Sequence, residues 1–208
     1  MNSGILSIGL ILLVIAIMFI VYEKKNTTLK EISLIGTLAG IAGIMRIPFG
    51  GIPNVQPTTA LVIIAGWVFG PLFGFMVGAL SVLVSNSFLG HGPWTPWQMF
   101  AWGMAGLLSG SLSKIKLKPS KIFLGVYGFL WGFAYDYILN LWHFLTFIYP
   151  RTWSSFVLVY MSSFYFDLLH GLFNLFFLYF FGHELITILR RFKDKLIVYS
   201  IKEERRIP

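Results

Sequence analysis

Seven stretches of apolar residues, separated by short polar segments, make up most of the chain. A helix needs about 20 apolar residues to cross the hydrocarbon core of a bilayer, and most of these stretches approach that length. The predicted helices are residues 4–22, 32–47, 58–69, 71–88, 97–113, 121–148 and 154–189. Gly70 and Pro71 interrupt the pattern between the third and fourth helices, which is typical of a tight turn. The last stretch is longer than a bilayer is thick, and we expect it to continue beyond the membrane as a basic amphipathic end. The pattern predicts an all-α membrane protein.

The composition agrees with a membrane protein and excludes several other classes. Hydrophobic residues make up 57% of the 208-residue chain, charged residues 12%, and the mean hydropathy is +0.78. A soluble domain carries about 25% charged residues. The absence of cysteine excludes disulfides, thiolate metal sites and cysteine nucleophiles. The sequence also lacks Walker, HExxH and G-x-S-x-G motifs, so we expect no enzyme activity, no metal site and no cofactor.

The basic residues predict how the chain is oriented. Fourteen of the sixteen Lys and Arg residues form three clusters at the ends of the apolar stretches. The clusters are Lys24/Lys25/Lys30, Lys114/Lys116/Lys118/Lys121 and Arg190/Arg191/Lys193/Lys195/Lys202/Arg205/Arg206, which leaves Arg46 and Arg151 elsewhere. Lys and Arg that flank membrane spans concentrate on the cytoplasmic side, so the loops 48–57, 89–96 and 149–153 are predicted to lie outside. Seven spans then give a multi-pass cell-membrane protein with its N-terminus outside and its C-terminus in the cytoplasm. Positive charge confined to span ends forms no binding face, so we expect no nucleic-acid partner.

The first span has two interpretations. It lacks the basic start and the small-residue cleavage site of a signal peptide, so we interpret it as a retained helix. Six spans with a cleaved N-terminus would give the remaining chain the same orientation.

The predicted outer loops carry the candidate ligand-binding residues. The first two loops contain no acidic residue and are rich in Gly, Pro, amide side chains and aromatic rings. Gly and Pro indicate defined turns and close backbone approach. An aromatic, uncharged lining suits a large, partly planar solute, although aromatic residues also form a belt at membrane surfaces. The candidates are Asn54, Gln56, Asn86, His91, Trp94, Trp97, Gln98, Asn140, His143 and Trp153.

Two polar faces lie within the last two predicted helices. Asp136, Asn140 and His143 share one face of the first of these helices, and the second carries a similar set. That second set is Asp167, His170 and Asn174. Ionisable groups at such depth are costly and usually face a cavity or a partner. They form either the floor of an externally open ligand pocket or a hydrogen-bond network that joins the two helices.

Small residues recur at a spacing of four in several helices. Gly36 with Gly40, and Ala39 with Gly43, are predicted to give residues 32–47 a face that another helix can approach closely. Gly74 with Gly78, Gly106 with Gly110, and Gly128 with Gly132 repeat the pattern. Each pair serves either packing within this protein or docking of a partner subunit. Residues 32–47 are the best candidate for docking, since they hold no ionisable group before Arg46.

In combination, these features resemble the substrate-binding S component of an energy-coupling factor (ECF) transporter. The resemblance covers about residues 30–190 and rests on the small-residue face, on the Gly-Pro turn and on two short segments. The segments are Leu72-Phe73-Gly74-Phe75-Met76-Val77-Gly78-Ala79 and Gly92-Pro93-Trp94-Thr95-Pro96-Trp97-Gln98-Met99. The resemblance implies a six-helix S-component core, residues 31–190. Residues 1–30 would add an extra N-terminal transmembrane helix and a basic loop, and residues 191–208 a basic cytoplasmic tail.

The resemblance also implies a function. An S component binds one vitamin or related micronutrient at its outer face, where the loops close over it. An ECF transmembrane coupling subunit, docked on Gly36, Ala39, Gly40 and Gly43, and two cytosolic ATPase subunits would drive release inside while the S component topples among the membrane lipids. The Trp94-Thr95-Pro96-Trp97 stretch resembles most the cobalamin-type S components, so the expected cargo is a corrinoid. A deazapurine such as a queuosine precursor, or a flavin, is the alternative cargo. The N-terminal helix has no histidine, which argues against a metal ion as cargo.

Two alternative functions come from other classes. A membrane scaffold or assembly protein of the MreD-like kind would bind no small ligand. A stand-alone proton-coupled carrier would use Asp136 and Asp167 as a proton relay, and its uptake would need no ATPase.

Overall fold

Helices make up nearly all of the fold, which we describe from a computed structural model. The description covers residues 3–25, 27–115 and 119–204, with side chains from residue 4 to residue 195, and these ranges contain no β-strand. The helices are α1 Ser3–Glu23, α2 Leu29–Arg46, α3 Pro57–Phe69, α4 Pro71–Leu89, α5 Thr95–Ser113, α6 Lys121–Phe147 and α7 Trp153–Glu204, and a short 3-10 turn, Ile47–Phe49, follows α2. The predicted all-α membrane architecture is confirmed, and the ends of the first six helices agree with the prediction within a few residues.

Not every helix is long and apolar enough to cross a membrane. Five stretches in the described ranges meet both conditions. They are Gly4–Glu23, Leu29–Phe49, Pro71–Leu89, Lys121–Phe147 and Trp153–Lys195. Helix α3 is apolar but has only 13 residues, about 20 Å at 1.5 Å per residue, and the core of a bilayer is about 30 Å thick. The first loop, residues 47–56, therefore descends into the bundle to meet the start of α3.

Local sequence signals set the helix ends. Thr28 and Ser120 cap α2 and α6, where their hydroxyl groups accept hydrogen bonds from the backbone N–H of Glu31 (3.2 Å) and Phe123 (3.1 Å). Pro57 and Pro71 begin α3 and α4, where a missing N–H costs nothing. Between these two helices Gly70 has φ 104°, a left-handed conformation that glycine adopts without strain. The tight turn predicted from Gly70-Pro71 is thus present.

Glycines bring α3, α4 and α5 into backbone contact. A Cβ atom on Gly106 of α5 would collide with the backbone of Gly74 in α4, and one on Gly66 of α3 would collide with Gly106. Gly78 and Gly110 approach the backbone of the neighbouring segment just as closely. These glycines serve internal packing, which was one of the two interpretations of the spacing-of-four pattern.

Gly128 and Gly132 of α6 have the same internal role. Gly128 packs against Leu178 and Asn174 of α7, and Gly132 packs against His170 and Gly171. The two helices therefore run side by side at close range.

The small residues of α2 lie on two different faces. Ala39 and Gly43 are buried, and a Cβ on Gly43 would meet the Cβ of Val84 at 2.7 Å on α4. A Cβ atom added at Gly36 or Gly40 would have no other atom of the described residues within 4 Å. Helix α4 therefore already covers α2 at Gly43, and docking of a partner subunit on all four residues stays a prediction.

The two ends of the bundle differ in character. The loop end carries residues 47–56, 90–94 and 148–152, and the basic end carries the Lys and Arg clusters. At the basic end Lys193 donates a hydrogen bond to the carbonyl of Val68 at the end of α3 (2.7 Å). The expected continuation of the last helix is confirmed, since α7 has 52 residues, about 78 Å at 1.5 Å per residue. Of the clustered residues, Lys116, Lys118, Arg205 and Arg206 lie outside the described residues, as does the end of the predicted tail.

Candidate ligand-binding site

A cavity of about 280 Å³ opens at the loop end of the bundle. The first loop forms most of its wall, and the C-terminal ends of α2 and α4 complete it. The lining residues are Arg46, Phe49, Gly50, Ile52, Asn54, Val55, Gln56 and Leu89. Small-molecule sites are concave and mostly apolar with a few fixed polar groups, and their volumes start at about 300 Å³. The cavity therefore suits a small organic molecule or one ring system of a larger one.

Asn54 anchors the first loop to the bundle. Its Nδ2 atom donates hydrogen bonds to Oδ2 of Asp136 on α6 (2.9 Å) and to the carbonyl of Phe166 on α7 (3.0 Å). Its φ of 57° lies in the left-handed region, which Asn tolerates better than most residues. The loop is thereby tied to both long helices at the depth of Asp136.

A chain of hydrogen bonds leads from this anchor into the core. His170 contacts Asp136 through Nδ1 (3.0 Å) and Thr59 through Nε2 (2.8 Å), and Nε1 of Trp102 donates to the Thr59 hydroxyl (2.9 Å). Indole N–H only donates and a carboxylate only accepts, so the Thr59 hydroxyl accepts a hydrogen bond from Trp102 and Asp136 accepts one from Nδ1 of His170. The proton of a neutral His170 then lies on Nδ1 and points to Asp136. Nε2 of this tautomer accepts a hydrogen bond from the Thr59 hydroxyl, and donation runs from Trp102 through Thr59 and His170 to the carboxylate.

Arg46 carries the positive charge of the cavity wall. Its Nη1 atom donates to Oγ of Ser85 (3.2 Å) and to Oδ1 of Asn86 (2.9 Å), and its guanidinium carbon lies 5.1 Å from the centre of the Trp102 ring. Such a position over an indole face is a favourable cation–π contact. Within the described residues no carboxylate lies within ion-pair distance of Arg46. The charge is thus held by neutral partners and faces the cavity without a counter-ion.

Asn86 and Gln98 stand behind Arg46. Both are buried, and Nδ2 of Asn86 donates to Oε1 of Gln98 (2.8 Å) and to the hydroxyl of Thr95 (3.2 Å). These two bonds turn Oδ1 of Asn86 toward Arg46. Among the sequence-predicted candidates, therefore, Asn54 and Gln56 line the cavity, and Asn86 and Gln98 support its cation.

The remaining candidates lie apart from the cavity lining. Trp97 is buried in the core, and Trp94 packs edge-on against Trp142 with their ring centres 6.1 Å apart. His91, His143 and Trp153 are exposed at the loop end.

Asn140 belongs to a second polar cluster between α6 and α7. It donates to Ser163 (2.7 Å), whose hydroxyl lies 3.0 Å from Oδ2 of Asp167. This cluster joins the two helices, as one interpretation of their polar faces predicted. Neither side-chain polar atom of the buried Asn174 has a hydrogen-bond partner in the described part of the chain.

Arg46 is the site residue that the candidate set omitted. The signal was present in the sequence, since Arg46 ends an apolar helix, belongs to none of the three clusters and has no acidic neighbour. Topology alone does not require a basic residue there. The apolar wall residues Ile52 and Val55 carried no distinguishing signal.

Curated relatives match only part of this chain. The UPF0397 protein of Vibrio atlanticus is 30% identical over 90 residues, which are 41% of this chain and 49% of the relative. A UPF0397 protein of Streptococcus pneumoniae is 30% identical over 92 residues, 42% of this chain and 50% of the relative. The chain thus spans about half the length of the curated relatives it matches. No solved structure matches the chain.

A family match covers most of the chain. Residues 23–185, from the end of α1 into α7, match the family described as the ECF-type riboflavin transporter, S component. The match includes the first loop, the cavity wall and the α6–α7 pair, and it leaves out most of α1. This protein therefore belongs to the S-component family of ECF-type riboflavin transporters, a family of transporter subunits.

Proposed function

We propose that this protein is the substrate-specific subunit of an ECF-type importer and that its cargo is riboflavin or a closely similar flavin. The observation that carries the proposal is the loop-end cavity, which lies within the region of the family match. Its wall combines apolar side chains with one unpaired cation and two amide side chains. A flat heteroaromatic ring with polar atoms along one edge fits such a lining.

A corrinoid fits the same site less well. The aromatic residues that suggested a cobalamin-type S component, Trp94 and Trp97, do not line the cavity. A corrinoid is also several times larger than a flavin, and the cavity volume is close to the lower end for small-molecule sites. The family description names riboflavin. Cobalamin is therefore the comparison cargo in the test.

The proposed orientation follows from the basic clusters. The loop end with its cavity faces outward, the N-terminus lies outside, and the basic end with the C-terminus lies in the cytoplasm. A membrane coupling subunit and two cytosolic ATPases supply the energy for release. Within α2, the open face of Gly36 and Gly40 is the proposed docking surface, since close helix–helix approach in a bilayer needs small, unoccupied positions.

Ligand binding by the solitary protein tests the proposed cargo. The full-length chain, purified without coupling subunit or ATPases, is titrated with riboflavin while flavin fluorescence is recorded, and cyanocobalamin is titrated in parallel by calorimetry. We expect saturable, one-to-one binding of riboflavin and no binding of cyanocobalamin. If the protein bound cyanocobalamin and not riboflavin, a corrinoid would be the cargo instead. If it bound neither compound, the cargo proposal would be contradicted. Uptake that persists without any ATPase would favour a proton-coupled carrier instead.

A second experiment tests the docking surface. Gly40→Leu places a large side chain on the open face of α2, and we expect it to keep riboflavin binding but lose co-purification with the coupling subunit. Gly9→Leu on α1 is the matched control, because Gly9 is also a helical glycine with no atom within 4 Å of an added Cβ. Retention of the complex by both Gly36→Leu and Gly40→Leu would overturn the proposed surface. Gly43 is unsuitable for this test because it packs against α4.

A further inference from the structure

We propose that Gln56 and Arg46 together recognise the hydrogen-bonding edge of a cyclic imide or lactam. Oε1 of Gln56 accepts a hydrogen bond from the ring N–H, and Arg46 donates a hydrogen bond to an adjacent carbonyl. This inference rests on the proposed function and names the two side chains that bind the polar edge of the cargo. In a flavin the matching edge is the N3–H between the C2 and C4 carbonyl groups.

Hydrogen bonds behind the cavity determine which atom Gln56 presents. Both partners of Asn54 Nδ2, the Asp136 carboxylate and the Phe166 carbonyl, are acceptors. The amide of Asn54 therefore cannot be turned round, and its Oδ1 atom accepts from Nε2 of Gln56 (2.7 Å). The orientation of the Gln56 amide is thereby fixed as well, and its Oε1 atom takes no part in the bond to Asn54.

Oε1 of Gln56 is a buried acceptor without a partner. Gln56 is only 7% exposed, and Oε1 makes no hydrogen bond to any described residue. An unpaired buried carbonyl is unfavourable, and most buried polar groups in proteins have a partner. Gln56 lines the cavity, and a ligand N–H would supply the partner that its oxygen lacks.

Arg46 presents the opposite polarity in the same wall. Guanidinium has five N–H donors and no acceptor, and the protein contacts described above use only Nη1. Asn86 and the Trp102 ring hold the guanidinium in place, so its other donors are fixed before a ligand arrives. A carbonyl oxygen beside the ligand N–H would meet them.

The two residues thus place a donor and an acceptor in one cavity wall. Phe49, Ile52, Val55 and Leu89 supply the apolar surface on which a flat ring would lie. A site built to hydrogen-bond an N–H strongly rejects an analogue that lacks it, since its own polar group is then buried unpaired. Methylation of the flavin N3 atom removes that N–H and leaves both carbonyls.

The test compares riboflavin with 3-methylriboflavin on the full-length protein in lipid nanodiscs. We expect the wild-type protein to bind 3-methylriboflavin more weakly by about tenfold or more, the effect of one lost hydrogen bond to a buried partner. Gln56→Ala should reduce this preference to about twofold or less, because the acceptor is gone. Arg46→Lys should weaken both ligands by about tenfold and keep the preference, since Lys lacks the fixed fork of Arg.

Ser87→Ala is the control, because Ser87 lies near the loop end, is exposed and bonds only to Leu83 of its own helix. It should keep both affinities. Equal affinity of the wild-type protein for the two flavins, or a preference that survives Gln56→Ala, would overturn the inference and leave the transport function standing. Binding of cyanocobalamin without riboflavin would overturn the inference and the flavin cargo but not the S-component function. Binding of neither would remove the inference together with the proposed cargo.

Discussion

Trp102 connects the two hydrogen-bond networks of the loop end. Its ring face carries the guanidinium of Arg46, and its indole N–H begins the chain through Thr59 and His170 to Asp136. Trp102 is fully buried, and its ring also packs at 4.6 Å, centre to centre, on Tyr135 of α6. One rigid side chain therefore contacts both the cavity's cation and the hydrogen-bond chain that leads to Asp136.

Thr59 is the point at which this chain is easiest to break without changing the shape of the core. Thr59→Val keeps the volume but leaves the Trp102 N–H and His170 Nε2 without their partner in a fully buried place. We expect a loss of about 2–3 kcal/mol in unfolding free energy, the usual cost of unsatisfied buried groups. Equilibrium unfolding in detergent micelles would measure it.

Ser111→Ala is the matched control for Thr59→Val. The Ser111 hydroxyl is exposed and bonds only to the Leu107 carbonyl of its own helix. Its removal should change stability by no more than about 0.5 kcal/mol. A Thr59→Val protein as stable as Ser111→Ala would show that the chain contributes nothing to the fold.

At the scale of helices, glycine has two opposite roles. In α3, α4 and α5 it permits backbone contact within the bundle, and at Gly36 and Gly40 of α2 it leaves an open face. Sequence spacing is the same in both cases. What differs is whether a neighbouring helix already occupies the space.

This difference predicts that the same substitution, Gly to Ala, changes the free energy of unfolding in opposite directions at two sites. Exchange of Gly for Ala inside a helix normally stabilises it by about 1 kcal/mol. We expect this gain, or no change, for Gly36→Ala. Gly106→Ala should instead destabilise the protein by about 2–3 kcal/mol, because its methyl group meets the Gly74 backbone, which cannot move as a flexible side chain would.

Thermal unfolding of the two glycine variants in the same detergent would compare them. A stabilised Gly106→Ala protein would contradict the close contact of α4 and α5. Riboflavin binding by Gly36→Ala would show that the open face is separate from the cavity.

At the scale of the whole molecule, the charge pattern and the cavity predict the same direction of transport. The cavity opens at the end that lacks the Lys and Arg clusters, and the long α7 extends from the other end. Lys and Arg concentrate on the cytoplasmic side. A ligand would therefore enter from outside and leave beside the proposed cytosolic ATPases.

Cysteine labelling would test this orientation directly, since the natural chain has no cysteine. His91→Cys lies in an exposed segment of the loop end and Lys121→Cys lies exposed at the basic end. We expect a membrane-impermeant maleimide to label His91→Cys in intact cells and Lys121→Cys only after permeabilisation. The reverse pattern would invert the proposed topology.

The helices and the two chemically different ends of this protein could be predicted from the sequence alone. The signals for the helices act over a few residues, so they can be recognised in the sequence before the fold is known. They are the length of each apolar stretch, helix caps such as Thr28 and Ser120, and the Gly70-Pro71 turn. The charge clusters are likewise a property of the linear chain. The long basic helix at the end of α7 follows from the same local signals.

Only the tertiary structure decided which polar residues form the candidate site. Asn54 and Asp136, which are 82 residues apart, meet because glycines bring the helices together and because the short α3 draws the first loop into the bundle. The same packing buries Trp97 and Ala39, covers Gly43 with α4, and exposes Arg46 to the cavity. Hydrogen bonds then run from Gln56, which donates to Asn54, to Asp136, which accepts from Asn54, and such a long-range constraint has no trace in the spacing of residues along the chain.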